Sequence, residues 1–261
     1  MQVGLIGCGN MGRALARGWR RPLLCSDPIA ARARQLAAEV SGEALEGNVE
    51  VARRCDLLVL AHKPSQLNEV AGEVRDDARA VASILAVTPL QALREAFPGR
   101  PVYRFLPSLP VEVRQGAVVQ AVDGGEGSAA DSATGERASL DAAVSALFAE
   151  LGLLVEIDDA LIDVAMGLMS CGPAYVALVA EAQVDAGVRR GIPPGQGAQL
   201  VVQTLAGTAE LLRRRGYDMA SVRREVTSPG GLTARGLDAL ERGGLRAAFS
   251  DAMDAVLGQR A

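Results

Sequence analysis

The chain has 261 residues, with 27 basic and 31 acidic side chains and a formal net charge of -4. This length suits one large α/β domain, or a smaller one joined to a helical partner domain. The acidic excess argues against a protein that binds nucleic acid or an anionic membrane, because both ligands select basic surfaces. Lys63 is the only lysine and His62 the only histidine, so a reaction that needs an amine or an imidazole must use this pair.

The four cysteines form no C-x-x-C pair, and with a single histidine they predict no zinc or other metal site. We expect reduced thiols, which favour a cytoplasmic protein. No signal peptide is expected from the N-terminal sequence, which lacks a basic segment followed by a cleavage site. The longest uncharged run, residues 164–180, is interrupted by Gly172 and Pro173, which favours a buried helix pair over a membrane helix.

Residues 1–158 alternate short apolar runs with helical stretches, a pattern that predicts β-α-β units and a parallel sheet in an α/β domain. The predicted strands cover residues 2–6, 23–26, 57–61, 81–87, 102–105, 117–122 and 153–157. Residues 123–137 are rich in Gly, Ala, Ser and acidic side chains, which predicts a solvated, mobile loop. A lid over a binding site is the alternative interpretation of that loop.

Residues 159–261 lose the strand pattern and predict a separate, all-helical domain. Two of its helices, expected at residues 174–190 and 196–214, are apolar around most of their circumference. Such helices usually bury a second face against another subunit. The pattern therefore predicts a homodimer, or a higher oligomer built from dimers.

A glycine-rich motif, Gly7-Cys8-Gly9-Asn10-Met11-Gly12, directly follows the first strand and opens a helix. This G-x-G-x-x-G spacing is the dinucleotide-binding fingerprint, in which the first glycine allows the tight turn and the second lets the backbone approach a pyrophosphate. The helix N-terminus adds N–H groups and a positive dipole end for the anion. The motif predicts a bound dinucleotide.

Ser26 and Asp27 end the second strand, about twenty residues after the glycines as the fingerprint requires. Asp27 could accept a ribose 2'-hydroxyl and favour NAD, whereas Ser26 with Arg32 or Arg34 could hold a 2'-phosphate and favour NADP. These residues leave both cofactors open. Asp27 could also simply cap the helix that starts near Pro28.

His62, Lys63 and Pro64 follow the third long strand, at the sheet edge where open α/β folds bind their ligands. Since arginine fills every other basic position, Lys63 is a candidate cofactor contact, with a solvated loop charge as the alternative. For His62, a hydrogen-bonded packing role is favoured over acid–base catalysis.

In the helical domain, the loop Thr227-Ser228-Pro229-Gly230-Gly231 precedes a helix expected near Leu232. Its backbone N–H groups and the hydroxyls of Ser228 and Thr233 could grip a small carboxylate without a cationic side chain. An ordinary capped helix connection explains the same spacing.

Five segments together make the chain similar to pyrroline-5-carboxylate reductases. They read GCGNMG at residues 7–12, HKP at 62–64, SCGPAY at 170–175, DAGVRRG at 185–191 and VTSPGGLTARGLDALE at 226–241. The resemblance implies an oxidoreductase of proline biosynthesis that reduces the cyclic imine pyrroline-5-carboxylate with NADPH, with NADH as a second donor. It also implies an N-terminal Rossmann-type doubly wound sheet, residues 1–158, and a C-terminal helical dimerisation domain, residues 159–261.

The resemblance further implies roles by position. The pyrophosphate would be held by Gly7, Gly9, Asn10 and Met11, and Lys63 and Pro64 would line the cofactor site. The substrate carboxylate would be bound by Ser228, Gly230 and Gly231, with Thr233 near the imine nitrogen. The loop of one subunit would then meet the nicotinamide of another.

Several positions depart from the family pattern. Where the family has M-P-N-T-P, this chain has Leu106, Pro107, Ser108, Leu109 and Pro110; Cys171 and His62 replace a serine and a valine, and the loop at 123–137 is longer. These departures raise the alternative of a paralogous reductase for another cyclic imine. The absence of a lysine from the helical domain excludes the β-hydroxyacid dehydrogenases, which need one there. The complete TSPGG loop argues against a regulatory nucleotide-binding protein.

Overall fold

The computed structural model describes residues 1–123 and 135–258. Most of the expected solvated loop, residues 124–134, therefore lies outside the described residues. Contacts divide the chain into two compact units, Met1–Pro173 and Ala174–Ala261. The sequence placed the division after Asp158, and that boundary stays a prediction. In the structure, helix Ile162–Met169 lies in the first unit, where its Ile162 and Ala165 are buried.

In the described part of the first unit, eight strands form one sheet in the order β3-β2-β1-β4-β5-β6-β7-β8. The strands are β1 Val3–Ile6, β2 Leu24–Ser26, β3 Glu43–Ala44, β4 Leu57–Leu60, β5 Val81–Ser83, β6 Val102–Pro107, β7 Gly116–Val122 and β8 Gly152–Asp158. Each of the seven predicted runs overlaps one of these strands, and β6, β7 and β8 extend one or two residues beyond the predicted runs. The short edge strand β3 was not predicted, and β5 ends four residues earlier than expected.

Helices cover both faces of this sheet, which confirms the predicted doubly wound α/β class. The helices of the first unit are α1 Asn10–Trp19, α2 Ala30–Val40, α3 Asn48–Arg54, α4 Leu67–Val74, α5 Leu90–Ala96, α6 Glu136–Ala149 and α7 Ile162–Met169. Alternate side chains of β4 point to opposite faces: Val59 joins the core under α1, α2 and α6, and Leu58 joins the core under α3, α4 and α5.

All strand pairs are parallel except β6–β7, which is antiparallel. The link from β6 to β7 holds only a short 3-10 helix, Leu109–Val113. A parallel pairing needs a crossover of about a dozen residues or more, so this link is too short for one. A fully parallel sheet, as the sequence suggested, is therefore not formed at this pair.

The second unit is helical throughout its described residues, as predicted. The helices that follow α7 are α8 Gly172–Val188, α9 Pro194–Arg214, α10 Met219–Glu225, α11 Leu232–Arg242 and α12 Leu245–Val256. Many apolar side chains of α8 and α9 are exposed, among them Val176, Leu178, Leu200 and Val202.

One helical stretch in the described chain, Asp159–Val188, has the length and the mean hydropathy (1.6) of a membrane-crossing helix. The sequence predicted a buried helix pair here. Within the single chain, α7 is only partly buried, with Ile162, Ala165 and Gly167 inside and Leu168 70% exposed, and the prediction is wrong for α8, which has no buried residue. The reason is that α8 lacks a covering layer in its own chain, which is typical of a helix that packs on another subunit.

Candidate active site

Two glycines of the turn between β1 and α1 are required by the turn itself. Gly7 has a φ of +101°, and a Cβ on it would lie 2.7 Å from the carbonyl carbon and oxygen of Ala61. A Cβ on Gly12 would lie 2.2 Å from the Gly7 oxygen. Packing of the chain against itself therefore explains both residues.

Gly9 is different, because its φ of -74° suits any residue and a Cβ there would meet nothing within 4 Å. The chain alone gives no reason for glycine at this position. The space it leaves open lies at the N-terminus of α1, where no side chain caps the helix. Open space beside uncapped N–H groups and a positive dipole end fits a pyrophosphate. A dinucleotide is therefore compatible with Gly7, Gly9, Asn10 and Met11.

Asp27 links the glycine-rich turn to the end of β2. Its Oδ2 accepts a hydrogen bond from the Cys8 N–H and its Oδ1 accepts one from the Ile29 N–H, both at 2.8 Å. A carboxylate has further lone pairs, so a ribose hydroxyl could still donate to it. The alternative of Asp27 as a helix cap is wrong, because α2 begins at Ala30 with Ile29 at its N-cap and the Asp27 side chain bonds only the Ile29 N–H before the helix. The contact to the glycine-rich turn was not predicted.

Ser26 is buried, and its hydroxyl lies 2.7 Å from Asn48 Oδ1, to which it donates. The Asn48 amide in turn donates to Glu73. By contrast, Arg32 and Arg34 are exposed, and their guanidinium groups make no ion pair with any residue that the structure describes. Arg32 and Arg34 are thus cations of α2 without an ion-pair partner in the described part of the chain, whereas the Ser26 proton is already engaged.

Lys63 is exposed and precedes the 3-10 helix Pro64–Gln66 at the carboxyl end of β4. Next to it, His62 is partly buried, and its Nδ1 lies 2.9 Å from the Lys63 carbonyl oxygen. Burial lowers the pKa of His62. A groove of about 620 Å³ lies beside Pro64 and Val87, but no residue of the glycine-rich turn lines it. That groove is therefore separate from the glycine-rich turn where a dinucleotide is expected to bind.

The residues at the end of β6 that depart from the family pattern take part in hydrogen bonds. Ser108 is buried; its N–H donates to the Ala117 oxygen and its Oγ accepts from the Ala117 N–H, both at 2.9 Å. The Ser170 hydroxyl donates to the Pro107 oxygen at 3.3 Å. Ser170 directly precedes Cys171, so the departures at residues 106–110 and at Cys171 lie close together. Here Ser108 stabilises the link to β7.

In the second unit, the loop between α10 and α11 forms a tight turn. The Gly231 N–H donates to the Ser228 oxygen at 3.0 Å, with Pro229 second and Gly230, at a φ of +68°, third. Proline followed by a residue of positive φ is the signature of a type II turn. The turn ends at the N-terminus of α11, which has no side-chain cap.

Several side chains of this loop are available to a ligand. Ser228 and Thr233 are both exposed. Their hydroxyls have no hydrogen-bond partner among the described residues. Free N–H groups and hydroxyls at a helix N-terminus suit a small carboxylate. The geometry is thus compatible with the predicted role of Ser228, Gly230, Gly231 and Thr233.

Arg104 was not singled out from the sequence. It lies in the middle of β6 with a side chain only 3% exposed, and it pairs with Asp159 at 2.7 Å and Asp163 at 3.1 Å. Asp159 also accepts the Leu90 N–H at 3.0 Å. The sequence signal for this pair was an arginine inside an apolar strand, because a buried guanidinium needs an acidic partner. This network fastens the start of α7 to the sheet.

A doubly wound sheet with a glycine-rich turn between β1 and α1 defines the class of Rossmann-type dinucleotide-binding proteins. Two family models match this chain: "NADP oxidoreductase coenzyme F420-dependent" over residues 2–88 and "Pyrroline-5-carboxylate reductase dimerisation" over residues 159–260. The pyrroline-5-carboxylate reductase of Synechocystis is 33% identical, covering 98% of this chain and 96% of its own. That of Thermus thermophilus is 36% identical, covering 98% and 96%. The chain belongs to the pyrroline-5-carboxylate reductase family.

Solved structures agree with this assignment. A Plasmodium falciparum pyrroline carboxylate reductase with NADP bound is 26% identical and superposes with a TM-score of 0.84, over 98% of this chain and 95% of that one. The Streptococcus pyogenes enzyme is 26% identical, with a TM-score of 0.85 over 99% and 97%. Both chains match nearly end to end, so the likeness includes the helical part as well as the sheet.

Proposed function

We propose that this protein reduces the C=N bond of 1-pyrroline-5-carboxylate to form proline, with NADPH as the hydride donor and NADH as a second donor. The match to named pyrroline-5-carboxylate reductases over 98% of the chain supports this function most directly. The NADP oxidoreductase model and the relative with NADP bound support the choice of cofactor.

The cofactor residues are Gly7, Gly9, Asn10 and Met11 around the pyrophosphate, Ser26 and Asp27 at the adenosine end, and Lys63 and Pro64 along the sheet edge. When bound, NADPH supplies a hydride to the imine carbon. The free guanidinium groups of Arg32 and Arg34 support a 2'-phosphate near the end of β2. Asp27 positions the turn through its bond to Cys8.

The substrate residues lie in the loop before α11. Its turn presents Ser228, Gly230 and Gly231 to the substrate carboxylate, and the Thr233 hydroxyl orients the imine nitrogen. The substrate imine accepts the hydride once its nitrogen is protonated, so the chain needs to align the reactants and exclude water rather than supply an acid. This explains how one histidine and one lysine suffice.

The active unit in this proposal is a homodimer, and dimers can associate further. The dimerisation model over residues 159–260 and the exposed apolar side chains of α8 and α9 support it. The loop of one subunit then completes the site of another. The four free thiols, three of them buried, support a cytoplasmic location, and the net charge of -4 supports the absence of nucleic-acid and membrane partners.

The test follows NADPH and NADH consumption with 1-pyrroline-5-carboxylate and with other cyclic imines, including a six-membered ring homologue. We expect oxidation of NADPH that depends on 1-pyrroline-5-carboxylate, with one proline formed for each NADPH consumed. No oxidation of NADPH or NADH with any imine would contradict the proposed reductase activity. A clear preference for another imine would contradict 1-pyrroline-5-carboxylate as the substrate.

A further inference from the structure

The buried side chain of Arg104 joins three elements of the first unit. Its guanidinium lies 2.7 Å from one carboxylate oxygen of Asp159 and 3.1 Å from an oxygen of Asp163. The second oxygen of Asp159 accepts the Leu90 N–H, the first of α5, at 3.0 Å. The middle of β6, the start of α5 and the start of α7 are thereby held at one point.

Stability alone gives little reason for an arginine in this strand. Every residue of β6 is buried, and replacing a buried ion pair by well-packed apolar side chains of similar volume is often neutral or stabilising. A planar guanidinium, however, bonds carboxylates only in a fixed arrangement. An apolar side chain could therefore hold α7 as strongly, whereas Arg104 also fixes the place where α7 starts.

The far end of α7 lies at the carboxyl end of β6. Its C-cap residue, Ser170, donates to the oxygen of Pro107, the last residue of β6, at 3.3 Å. Between its two ends, α7 packs on the sheet through the buried Ile162. Because a short helix moves as one piece, the placement of its first turn by Arg104 decides where Ser170 and Cys171 lie.

The carboxyl end of β6 belongs to the half of the sheet that suits the nicotinamide. In doubly wound sheets a dinucleotide lies across the point where the strand order reverses, with one mononucleotide on each half. Here the order reverses between β1 and β4, and the proposed adenosine contact, Asp27, follows β2. The other half is formed by β4, β5 and β6, so Pro107 lies on the nicotinamide side.

We propose that Arg104 is a positioning residue for the reduction, which acts through Asp159 and Asp163 on the placement of α7 and so sets Ser170 and Cys171 beside the imine. The inference rests on the proposed function, because it takes both reactants from there. Arg104 is buried and contacts neither reactant. Its effect is on their alignment, to which rates are sensitive: a misplacement of about 1 Å can cost about a hundredfold.

Asp163→Asn is the mildest test of this role. The Asp163 side chain is 45% exposed and the Arg104–Asp159 pair remains, so the variant should fold and bind NADPH with the wild-type Kd. Its kcat/KM for 1-pyrroline-5-carboxylate should fall about three- to tenfold. Arg104→Lys, which keeps the charge but loses the planar fork, should lose more. Arg94→Lys is the matched control, because Arg94 pairs with Asp123 at the surface and is 53% exposed.

Rate constants are expressed per NADPH-binding site, because a purely structural role would reduce the amount of folded protein and leave kcat/KM per site unchanged. A wild-type kcat/KM per site in Asp163→Asn and Arg104→Lys would overturn the positioning role and leave the proposed function intact. If Arg104→Lys does not fold, Asp163→Asn alone decides. A wild-type protein that does not turn over 1-pyrroline-5-carboxylate would refute the proposed function itself.

Discussion

At the scale of single residues, one turn uses glycine for two physical reasons. Gly7 and Gly12 are fixed by contacts within the protein, since a Cβ on either would overlap backbone atoms. A Cβ on Gly9 would meet nothing within 4 Å, so no contact within the described chain requires glycine there, and the proposed dinucleotide would supply the reason. The three positions are equivalent in the sequence motif and differ in the structure.

Alanine substitutions distinguish a glycine that the fold requires from a glycine that the ligand requires. Gly9→Ala should fold with a Tm within about 2 °C of the wild type, because no contact changes, and should bind NADPH at least about tenfold more weakly. Gly12→Ala should instead lower Tm by several degrees, because the Gly7 backbone must move. The measurements are thermal unfolding and calorimetric titration. Gly72→Ala, in open space on α4, is the control that should keep both folding and binding. Wild-type NADPH binding by Gly9→Ala would contradict a pyrophosphate site at this turn.

Val87 carries backbone strain. Its φ is +54°, a region that β-branched residues rarely adopt, and its side chain is 66% exposed, so packing gains little from it. Val87→Gly should raise the free energy of unfolding by about 1 kcal/mol, because the relieved strain exceeds the flexibility that glycine adds to the unfolded chain.

Urea unfolding of Val87→Gly and Val113→Gly provides the comparison. Val113 is similarly exposed, at 62%, but its φ is not positive. Val113→Gly should lose about 0.5 to 1 kcal/mol of stability, the usual effect of glycine. Equal losses in both variants would show that Val87 is unstrained.

At the scale of elements, the turn before α11 should be sensitive to the conformation of one residue. Gly230 has a φ of +68°, so Gly230→Ala should distort the turn and raise KM for 1-pyrroline-5-carboxylate several-fold, while the Kd for NADPH stays unchanged. Steady-state kinetics and NADPH titration measure the two quantities. Gly236→Ala, inside α11 and in open space, should leave KM unchanged. A wild-type KM for Gly230→Ala would remove the loop from the substrate site.

Elements differ in how far the sequence predicts them. The long strands follow from their apolar runs, and the glycine-rich turn follows from its spacing. The two-residue strand β3 has no apolar run, and the direction of β7 depends on the length of the link from β6 rather than on any local pattern. The Arg104–Asp159 pair joins residues 55 apart in the sequence. Tertiary contacts of this kind leave no local signal.

At the scale of the whole molecule, the exposed apolar faces of α8 and α9 require a partner. Large apolar patches on a single chain are unfavourable in water and mark association surfaces. We expect a mass in solution of at least twice the 27.1 kDa of one chain. The double substitution Leu200→Asp and Val202→Asp should reduce that mass, and Val113→Asp, exposed in the first unit, should not. Light scattering after size exclusion measures it, and a wild-type monomer would contradict the proposed dimer.

The proposed reaction is hydride transfer from a nicotinamide cofactor to a cyclic imine. The most direct measurement uses NADPH deuterated at the transferable position of the nicotinamide, followed by mass spectrometry and NMR of the proline formed from 1-pyrroline-5-carboxylate. We predict one deuterium per proline, on the ring carbon that was double-bonded to nitrogen. Proline without deuterium at that carbon, or no proline at all, would contradict hydride transfer from the nicotinamide to the imine.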